Sequence, residues 1–266
     1  MRIVLLTSNH RRHKYIARIL KKSFDLIGVI SEEKTAFVKD YSQLPSEDQI
    51  FMQRHLIARE EAEQKYFTKS DEFPEVDAYV LIKKGQINSP EIVSLIRDME
   101  PTYLVLFGTS IIKTQLLELF PQRIINIHLG LSPYYRGSGT NLWPLYFNEP
   151  ECVGSTIHLA INEVDAGGIL AQLRPNLDYS DSVHDIGNKV ILKVGEKLPD
   201  ILQQFLSGRQ SLTKQNITGG KLFRRRDLNS EILKVIYQNI ANGVVPDYLS
   251  NKVLRDMKKP IIEVAE

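Results

Sequence analysis

The sequence predicts an α/β protein with a mostly parallel sheet and a small helical extension at the C-terminus. The chain opens with an apolar run, an amphipathic run and a second apolar run, and this β-α-β order is typical of parallel strands. Apolar and amphipathic runs then alternate to about residue 178. Polar side chains follow several apolar runs, and parallel sheets bind ligands beyond the carboxyl ends of their strands.

Each predicted element follows from its own residues. Short runs rich in β-branched and aromatic residues predict strands, at residues 2–6, 24–31, 77–83, 102–108, 123–130, 154–161 and 168–175. Apolar residues spaced three or four positions apart predict helices, at residues 13–23, 89–100, 113–120, 141–148, 182–208 and 230–243. Ser89 and Ser182 are suited to begin two helices, Gly208 to end the long one and Pro199 to bend it.

The domain organisation follows from where this alternation stops. Residues 1–208 form the predicted main domain. Within it, a charged and helix-favouring stretch at about 40–75 has no strand pattern, and we predict an inserted helical segment there. Residues 209–266 are basic at first and then helical, and they form the predicted C-terminal extension. The helices of this extension offer a surface for a homodimer.

The composition excludes several classes of protein. A net charge of +2 gives no global basic field for nucleic acid. The single cysteine, Cys152, excludes an intrachain disulfide. The apolar run at the N-terminus is too short for a signal peptide, and no run reaches the roughly 18 apolar residues of a membrane span. We therefore expect a cytoplasmic protein without nucleic-acid or membrane partners.

The stretch "IINIHLG", residues 124–130, places Asn126 and His128 at alternate positions of an apolar strand. The strand period of two puts both side chains on one face, and Gly130 follows where the chain must turn. Taken alone, such a pair is usually a hydrogen-bonded core histidine beside a turn amide. The interpretation of the Asn126–His128 pair therefore depends on the segments that follow it in the sequence.

Two further segments add chemistry to this pair. The loop "LSPYYRGSGTNLWP" contains Arg136, whose guanidinium suits a carboxylate or phosphate, and several glycines, although a structural surface loop has the same composition. The segment "INEVDAGGIL" places Asp165 before a glycine turn, where an ordinary hairpin aspartate is the alternative. Together, Asn126, His128 and Asp165 supply groups for proton transfer and oxyanion stabilisation.

These three segments resemble the folate-dependent formyltransferase family. The family motif is Asn-x-His, then a Pro-(x)-(Tyr/Phe)-(Arg/Lys)-Gly loop, then Asp-(Ala/Thr)-Gly, and all three parts occur here in that order. The resemblance covers residues 76–180 well and residues 1–31 in pattern only. It implies a Rossmann-like sheet of the formyltransferase type, N10-formyltetrahydrofolate as the cosubstrate, a primary amine as the acceptor and no metal.

The resemblance also assigns roles to individual residues. Asn126 and a protonated His128 would donate hydrogen bonds to the oxyanion of formyl transfer. Asp165 would orient His128, raise its pKa or relay the proton of the amine. The folate would lie between two stretches of backbone, with contacts at Phe107, Gly108, Thr109, Ile111, Glu163 and Val164.

The predicted acceptor follows from where this chain departs from its relatives. The segment "TSNHRRHKY" lacks the glycine-rich phosphate loop that glycinamide ribonucleotide formyltransferases share, and the C-terminal residues lack the strand pattern of the methionyl-tRNA formyltransferase barrel. The loop at 132–144 resembles that of nucleotide-sugar N-formyltransferases. We therefore predict a nucleotide-linked amino sugar, bound by Asn9, Arg11, Tyr134, Tyr135, Arg136, Gly137 and Trp143.

Other functions stay open at this point. The acceptor could be another amine, such as hydroxyornithine, glycinamide ribonucleotide or methionyl-tRNA. The chain could also be a non-catalytic folate or nucleotide binder of the same fold, although binding alone does not require the Asn-His-Asp trio.

Overall fold

The computed structural model describes residues 1–33 and 43–263. Seven strands of the described part form one sheet in the order β3-β2-β1-β4-β5-β7-β8, and two short strands, β6 and β9, form a second. The strands are β1 (Arg2–Ser8), β2 (Asp25–Glu32), β3 (Ala78–Ile82), β4 (Tyr103–Phe107), β5 (Ile124–His128), β6 (Tyr135–Gly137), β7 (Ser155–Leu159), β8 (Ile169–Leu173) and β9 (Lys221–Phe223). Strands β1 to β5 are parallel, whereas β7 runs antiparallel to β5 and to β8. The predicted fold class is therefore confirmed.

The helices cover both faces of this sheet. They are α1 (Arg11–Ser23), α2 (Ser46–Tyr66), α3 (Pro90–Asp98), α4 (Thr114–Leu119), α5 (Trp143–Tyr146), α6 (Val183–Leu206), α7 (Ser230–Ala241), α8 (Val244–Ser250) and α9 (Lys252–Lys258). Alternate residues of each strand enter different cores. Ile3 and Leu5 pack with α1 and α6, while Val4 and Leu6 pack with α3 and α4. Helices on both faces explain the near-continuous apolar runs of the strands.

The long predicted helix has the expected start. Ser182 accepts a hydrogen bond from the Asp185 N–H, and the Asp185 side chain accepts one from the Ser182 N–H, which forms a capping box. Ser89 does stand at the start of α3, but its side chain makes no capping hydrogen bond. Pro199 lies inside α6. Within the described residues, no helix combines the length and apolarity needed to cross a membrane.

The insertion and the C-terminal extension share a third apolar core. Met52 of α2, Ile186 of α6, and Ile236 and Tyr248 of the extension belong to it. Helix α2 lies within the predicted insertion, while residues 40–42 of that prediction fall outside the described residues. The predicted extension is helical as expected, but it also contributes β9, which the sequence did not predict. The domain boundaries and a homodimer formed by these helices stay predictions.

Candidate active site

The polar pair of β5 lies at the carboxyl edge of the sheet. Ile125 and Ile127 pack into the core on one face, so Asn126 and His128 point to the other. The neighbouring strand β7 pairs His158 with Asn126 and Thr156 with His128. Directly opposed residues of an antiparallel pair share a face. The pairing therefore places a second histidine beside the predicted Asn-x-His motif.

Asp165 lies in the turn between β7 and β8. Its φ of 51° falls in the left-handed region, which aspartate adopts more readily than most residues. Its side chain is only 10% exposed. The turn carries this carboxylate back over the end of β5, where the polar side chains of β5 and β7 meet it.

Four groups converge on the Asp165 carboxylate. Its Oδ1 accepts a hydrogen bond from Asn126 Nδ2 at 3.2 Å and lies 3.5 Å from His158 Nε2. Its Oδ2 accepts a hydrogen bond from the Gly137 N–H at 2.9 Å and lies 3.3 Å from His128 Nδ1. The structure thus brings the three predicted catalytic side chains together. We call Asn126, His128, His158 and Asp165 the Asp165 cluster.

His158 is a member of this cluster that the sequence interpretation missed. Its Nδ1 donates to the carbonyl of Leu159 at 2.8 Å, so the neutral ring presents Nε2 as an acceptor. That atom lies 3.1 Å from Asn126 Nδ2, and it orients the amide. A signal was present, because "STIHL" alternates in the same way as "IINIH". Only the register of β7 against β5 makes it informative.

Both ring nitrogens of His128 face oxygen atoms. Nε2 donates to the carbonyl of Tyr135 at 3.1 Å, and Nδ1 faces Asp165. Only the doubly protonated ring could donate to both. Burial nevertheless lowers the pKa of His128 below its ordinary value, and the charge of Asp165 only partly offsets this. The shift runs against the permanently protonated His128 that the resemblance implies, although the neutral ring still donates one hydrogen bond.

Whereas the surroundings of His128 favour its neutral form, those of Asp165 favour its charged form. Burial alone would raise its pKa, but His128, His158 and the Gly137 N–H outweigh that effect and hold the pKa far below its ordinary range. The group is therefore ionised at neutral pH. It acts as a hydrogen-bond acceptor for its neighbours and cannot serve as a proton donor in this state.

Two glycines let the chain pass close to the cluster. A Cβ at Gly130 would lie 2.6 Å from His128 Nε2, so no other residue fits there without moving the ring. Gly137 has a φ of 92°, and a Cβ on it would lie 2.0 Å from the carbonyl oxygen of Phe223. Its N–H is also the donor to Asp165. Both glycines are therefore required by the geometry of the site.

Arg136 stands beside the cluster as a buried cation. The residue is 7% exposed, and its Nη1 lies 3.6 Å from Glu163 Oε1. Within the described chain, its Nε and Nη1 atoms make no hydrogen bond. Buried donors without partners are costly, and a guanidinium fork binds carboxylates and phosphates well. Arg136 is therefore equipped to receive an anion, although its part in acceptor binding stays a prediction.

The aromatic residues of the same loop pack mainly against the protein. Tyr135 is fully buried and Trp143 is 4% exposed. The Phe223 ring stacks on Trp143 at 4.2 Å between centroids and lies parallel to Tyr135 at 6.0 Å. The hydroxyl of Tyr134, which is half-buried, donates to the carbonyl of Pro260 at 2.9 Å. Here the three rings hold the loop against the C-terminal extension, and their predicted contacts with the acceptor stay a prediction.

Comparisons with known proteins identify the family and agree on the fold. Residues 1–202 match the family model described as formyl transferase. The chain belongs to the formyl transferase family. A sugar N-formyltransferase from a Shewanella species is 18% identical, with a TM-score of 0.58 over 90% of this chain and 87% of that one. A phosphoribosylglycinamide formyltransferase from Anaplasma phagocytophilum is 16% identical, with a TM-score of 0.56 over 84% and 97%.

A third solved structure carries ligands. The formyltransferase PseJ from Anoxybacillus kamchatkensis is 15% identical, with a TM-score of 0.50 over 85% of this chain and 87% of that one. It was solved in complex with UDP-4,6-dideoxy-4-formamido-L-AltNAc and tetrahydrofolate. At these identities the likeness concerns the fold.

The predicted folate contacts of this formyl transferase flank the cluster on two sides. Strand β4 pairs Leu106 with Asn126, so the loop at residues 107–112 begins beside the cluster. That loop contains Phe107, Gly108, Thr109 and the exposed Ile111. On the other side, Glu163 and Val164 directly precede Asp165. The two segments border the cluster as the resemblance implies, and the individual folate contacts stay predictions.

The start of α1 is held by acidic residues. Arg11 forms an ion pair with Asp71, and the buried Arg12 forms one with Glu63. Burial lowers the pKa of Arg12 to about 10. These cations are therefore engaged within the protein here. Anion binding by Arg11, and by Asn9 just before the helix, stays a prediction.

Proposed function

We propose that this formyl transferase moves the formyl group of N10-formyltetrahydrofolate to the amino group of a nucleotide-linked amino sugar. The convergence of Asn126, His128 and His158 on the ionised Asp165 is the observation that carries the proposal. A site for binding alone gains nothing from a buried carboxylate surrounded by proton-exchanging groups. Such arrangements are typical of catalytic sites.

The residues at the sheet edge fit a folate. A pterin is a flat ring with hydrogen-bond donors and acceptors on its rim, and the 107–112 loop and the turn before Asp165 both offer backbone N–H and C=O groups. Part of each segment is apolar, which suits the faces of the ring. When bound, the folate supplies the formyl carbon that the amine attacks.

The residues of the cluster divide the chemistry among them. The N–H groups of Asn126 and His128 contact Asp165, His158 and the Tyr135 carbonyl in the free protein. In the reaction each side chain would redirect one hydrogen bond to the oxygen that gains negative charge, and each such donor is worth roughly 10²–10³ in rate. The Asp165 carboxylate holds both donors in place. It also orders a water that relays the proton lost by the attacking amine to N10 of the folate, as the bond between N10 and the formyl carbon breaks.

Arg136 supports an anionic acceptor. Its buried guanidinium keeps two nitrogens without hydrogen-bond partners in the described structure, beside the residues that would handle the amine. A diphosphate supplies acceptors for that fork and neutralises its charge. The complex of PseJ with a UDP-sugar is consistent with this choice. The lack of glycine between Met1 and Asp25 argues against the phosphate loop of glycinamide ribonucleotide enzymes.

Turnover with a panel of amines tests the proposal. The protein is mixed with N10-formyltetrahydrofolate and with UDP- and dTDP-linked amino sugars, and release of tetrahydrofolate is followed by absorbance while the product is weighed by mass spectrometry. We expect one or more amino sugars to gain a formyl group. The matched control is the same nucleotide sugar with a hydroxyl in place of the amine, which should give no turnover.

Other outcomes would replace the proposal. Turnover with hydroxyornithine, glycinamide ribonucleotide or methionyl-tRNA, and not with any amino sugar, would keep formyl transfer and reject the acceptor. Tight binding of folate without turnover on any amine would identify a folate-binding protein instead of an enzyme.

A further inference from the structure

The 107–112 loop is irregular, yet side chains from three other segments hold it. Thr7 Oγ1 donates to the carbonyl of Phe107 at 2.7 Å, and Ser8 Oγ donates to the carbonyl of Gly108 at 2.9 Å. Both hydroxyls come from the end of β1. They fix the first two carbonyl groups of the loop. The hydrogen-bond donors of the loop are bound by a different side chain.

That side chain belongs to Glu32, the last residue of β2. Its side chain is buried, with the residue 2% exposed. One carboxylate oxygen accepts the Ser110 N–H at 2.6 Å and the Thr109 hydroxyl at 3.0 Å. The other oxygen accepts the Gly85 N–H, from the turn after β3, at 2.8 Å. A single carboxylate therefore ties together the chain ends that follow three parallel strands.

Asn88 fixes the far end of the same loop. Its Nδ2 donates to the carbonyl of Ile111 at 2.9 Å, and its Oδ1 accepts the Lys113 N–H at 2.8 Å. The loop is thus anchored at its start, middle and end. Of Thr7, Ser8, Glu32 and Asn88, Glu32 alone has a charged side chain, and it holds the middle of the loop.

Three donors aimed at one buried side chain require a carboxylate. Two oxygens with four lone pairs can accept all three hydrogen bonds, and hydrogen bonds to an ionised group are the strong ones. A glutamine at this position has one accepting oxygen, and its NH2 group would face a backbone N–H or the hydroxyl. In either orientation of the amide, its NH2 group faces the N–H of Gly85 or of Ser110, so a repulsive contact replaces one hydrogen bond and the tie between the loop and the turn after β3 is lost.

We propose that Glu32 is a positioning residue that presets the 107–112 loop for the folate, and this inference rests on the proposed function. The carboxylate touches neither the folate nor the Asp165 cluster in this role. It keeps the backbone of Thr109 and Ser110 in the conformation that receives the pterin. A preset loop need not be ordered during binding, so its benefit is expressed in folate affinity.

Glu32→Gln tests this role, with Glu33→Gln as the matched control, since Glu33 is the exposed neighbour in the chain. We expect Glu32→Gln to raise KM for N10-formyltetrahydrofolate about tenfold or more, while kcat at saturating folate changes less than threefold. Calorimetric titration with 5-formyltetrahydrofolate, which needs no acceptor, should show the same loss of affinity. Glu33→Gln should match the parent in both assays.

Thermal denaturation and Glu32→Asp keep the test informative if the glutamine variant folds poorly. Glu32→Asp retains the carboxylate at a shorter reach, and we expect it to recover part of the lost folate affinity. A folded Glu32→Gln protein with parental folate affinity would overturn the inference. So would a fall in kcat with unchanged KM. If the parent itself neither binds folate nor transfers formyl groups, the proposed function fails before Glu32 is tested.

Discussion

Two histidine pairs in the described part of the chain have contrasting surroundings. In the Asp165 cluster, His128 and His158 flank a carboxylate. In the second group, which we call the Tyr237 cluster, His55 Nδ1 and His184 Nε2 both lie within hydrogen-bond distance of the Tyr237 hydroxyl, at 3.1 and 3.0 Å. Each cluster joins two rings to one central oxygen group. Only the first has a central group that is charged.

The difference lies in what the central group can do with a proton. Burial, followed by neighbouring positive charge, lowers the pKa of His55 to about 3, and burial lowers that of His184 to about 4. A hydroxyl donates to one neutral ring and accepts from the other, so the Tyr237 cluster is satisfied without charge. Through these two hydrogen bonds, the Tyr237 cluster connects α2, α6 and α7. The Asp165 carboxylate instead carries a full charge, which partly offsets the effect of burial on the pKa of His128 and can order a water for proton relay.

Replacing Asp165 should therefore lower mainly the catalytic rate, whereas replacing Tyr237 should lower mainly the free energy of unfolding. We expect Asp165→Asn to lower kcat about 10³-fold, because the neutral amide has one accepting oxygen instead of two and lacks the charge that orients His128 and the relaying water. Single-turnover formyl transfer, with the best acceptor of the panel, measures this loss. A fall smaller than tenfold would remove Asp165 from the mechanism.

Tyr237→Phe is the corresponding change in the other cluster. It leaves His55 and His184 without their shared partner, and we expect the free energy of unfolding to fall by about 1–3 kcal/mol. Urea denaturation measures this loss. The kcat of the variant should stay within twofold of the parent, and a larger drop would mean that the Tyr237 cluster also serves the reaction.

The Tyr237 cluster should also make stability depend on pH. Both folded-state pKa values lie below the ordinary value of about 6.5, so the unfolded chain takes up protons first as the pH falls. The stability that this cluster contributes is complete well above pH 6.5 and is lost as the pH falls from about 6.5 to about 3. We expect the parent to lose about 4 kcal/mol more between pH 7.5 and 5 than the double variant His55→Gln/His184→Gln, about 2 kcal/mol for each histidine, by urea denaturation. Equal losses would contradict these pKa shifts.

Within the Asp165 cluster, His158→Leu should lower turnover much less than Asp165→Asn. Asn126 loses one of its two orienting partners but keeps Asp165. One neutral hydrogen bond is worth about 1 kcal/mol, so we expect kcat to fall about fivefold. Steady-state kinetics at saturating folate and acceptor measures it. A loss as large as that of Asp165→Asn would give His158 a direct part in the reaction.

The sequence predicted the residues of the site better than their contacts. Asn126, His128 and Asp165 belong to a motif whose order and spacing are visible in one dimension. His158 enters only through the register of β7 against β5, which follows from pairing between distant residues. The same holds for β9, because the segment beginning at Lys221 pairs with β6 far earlier in the chain. In the sequence this segment is only part of a basic stretch, whereas in the structure Phe223 packs against Tyr135 and Trp143.

Glu32 illustrates the same limit in the main sheet. A glutamate that ends an apolar strand is usually assigned to the surface, and nothing near it in sequence indicates three donors. They come from segments that follow β3 and β4, and only the order of the parallel strands brings them together.

The most direct test of the central claim is His128→Asn, studied by both formyl transfer and folate binding. The account predicts that kcat falls by roughly 10²–10³, because a donor to the developing oxyanion is displaced, while the Kd for 5-formyltetrahydrofolate stays within twofold of the parent. Formyl transfer at the parental rate would contradict the account, and so would a loss of folate binding that parallels the loss of activity.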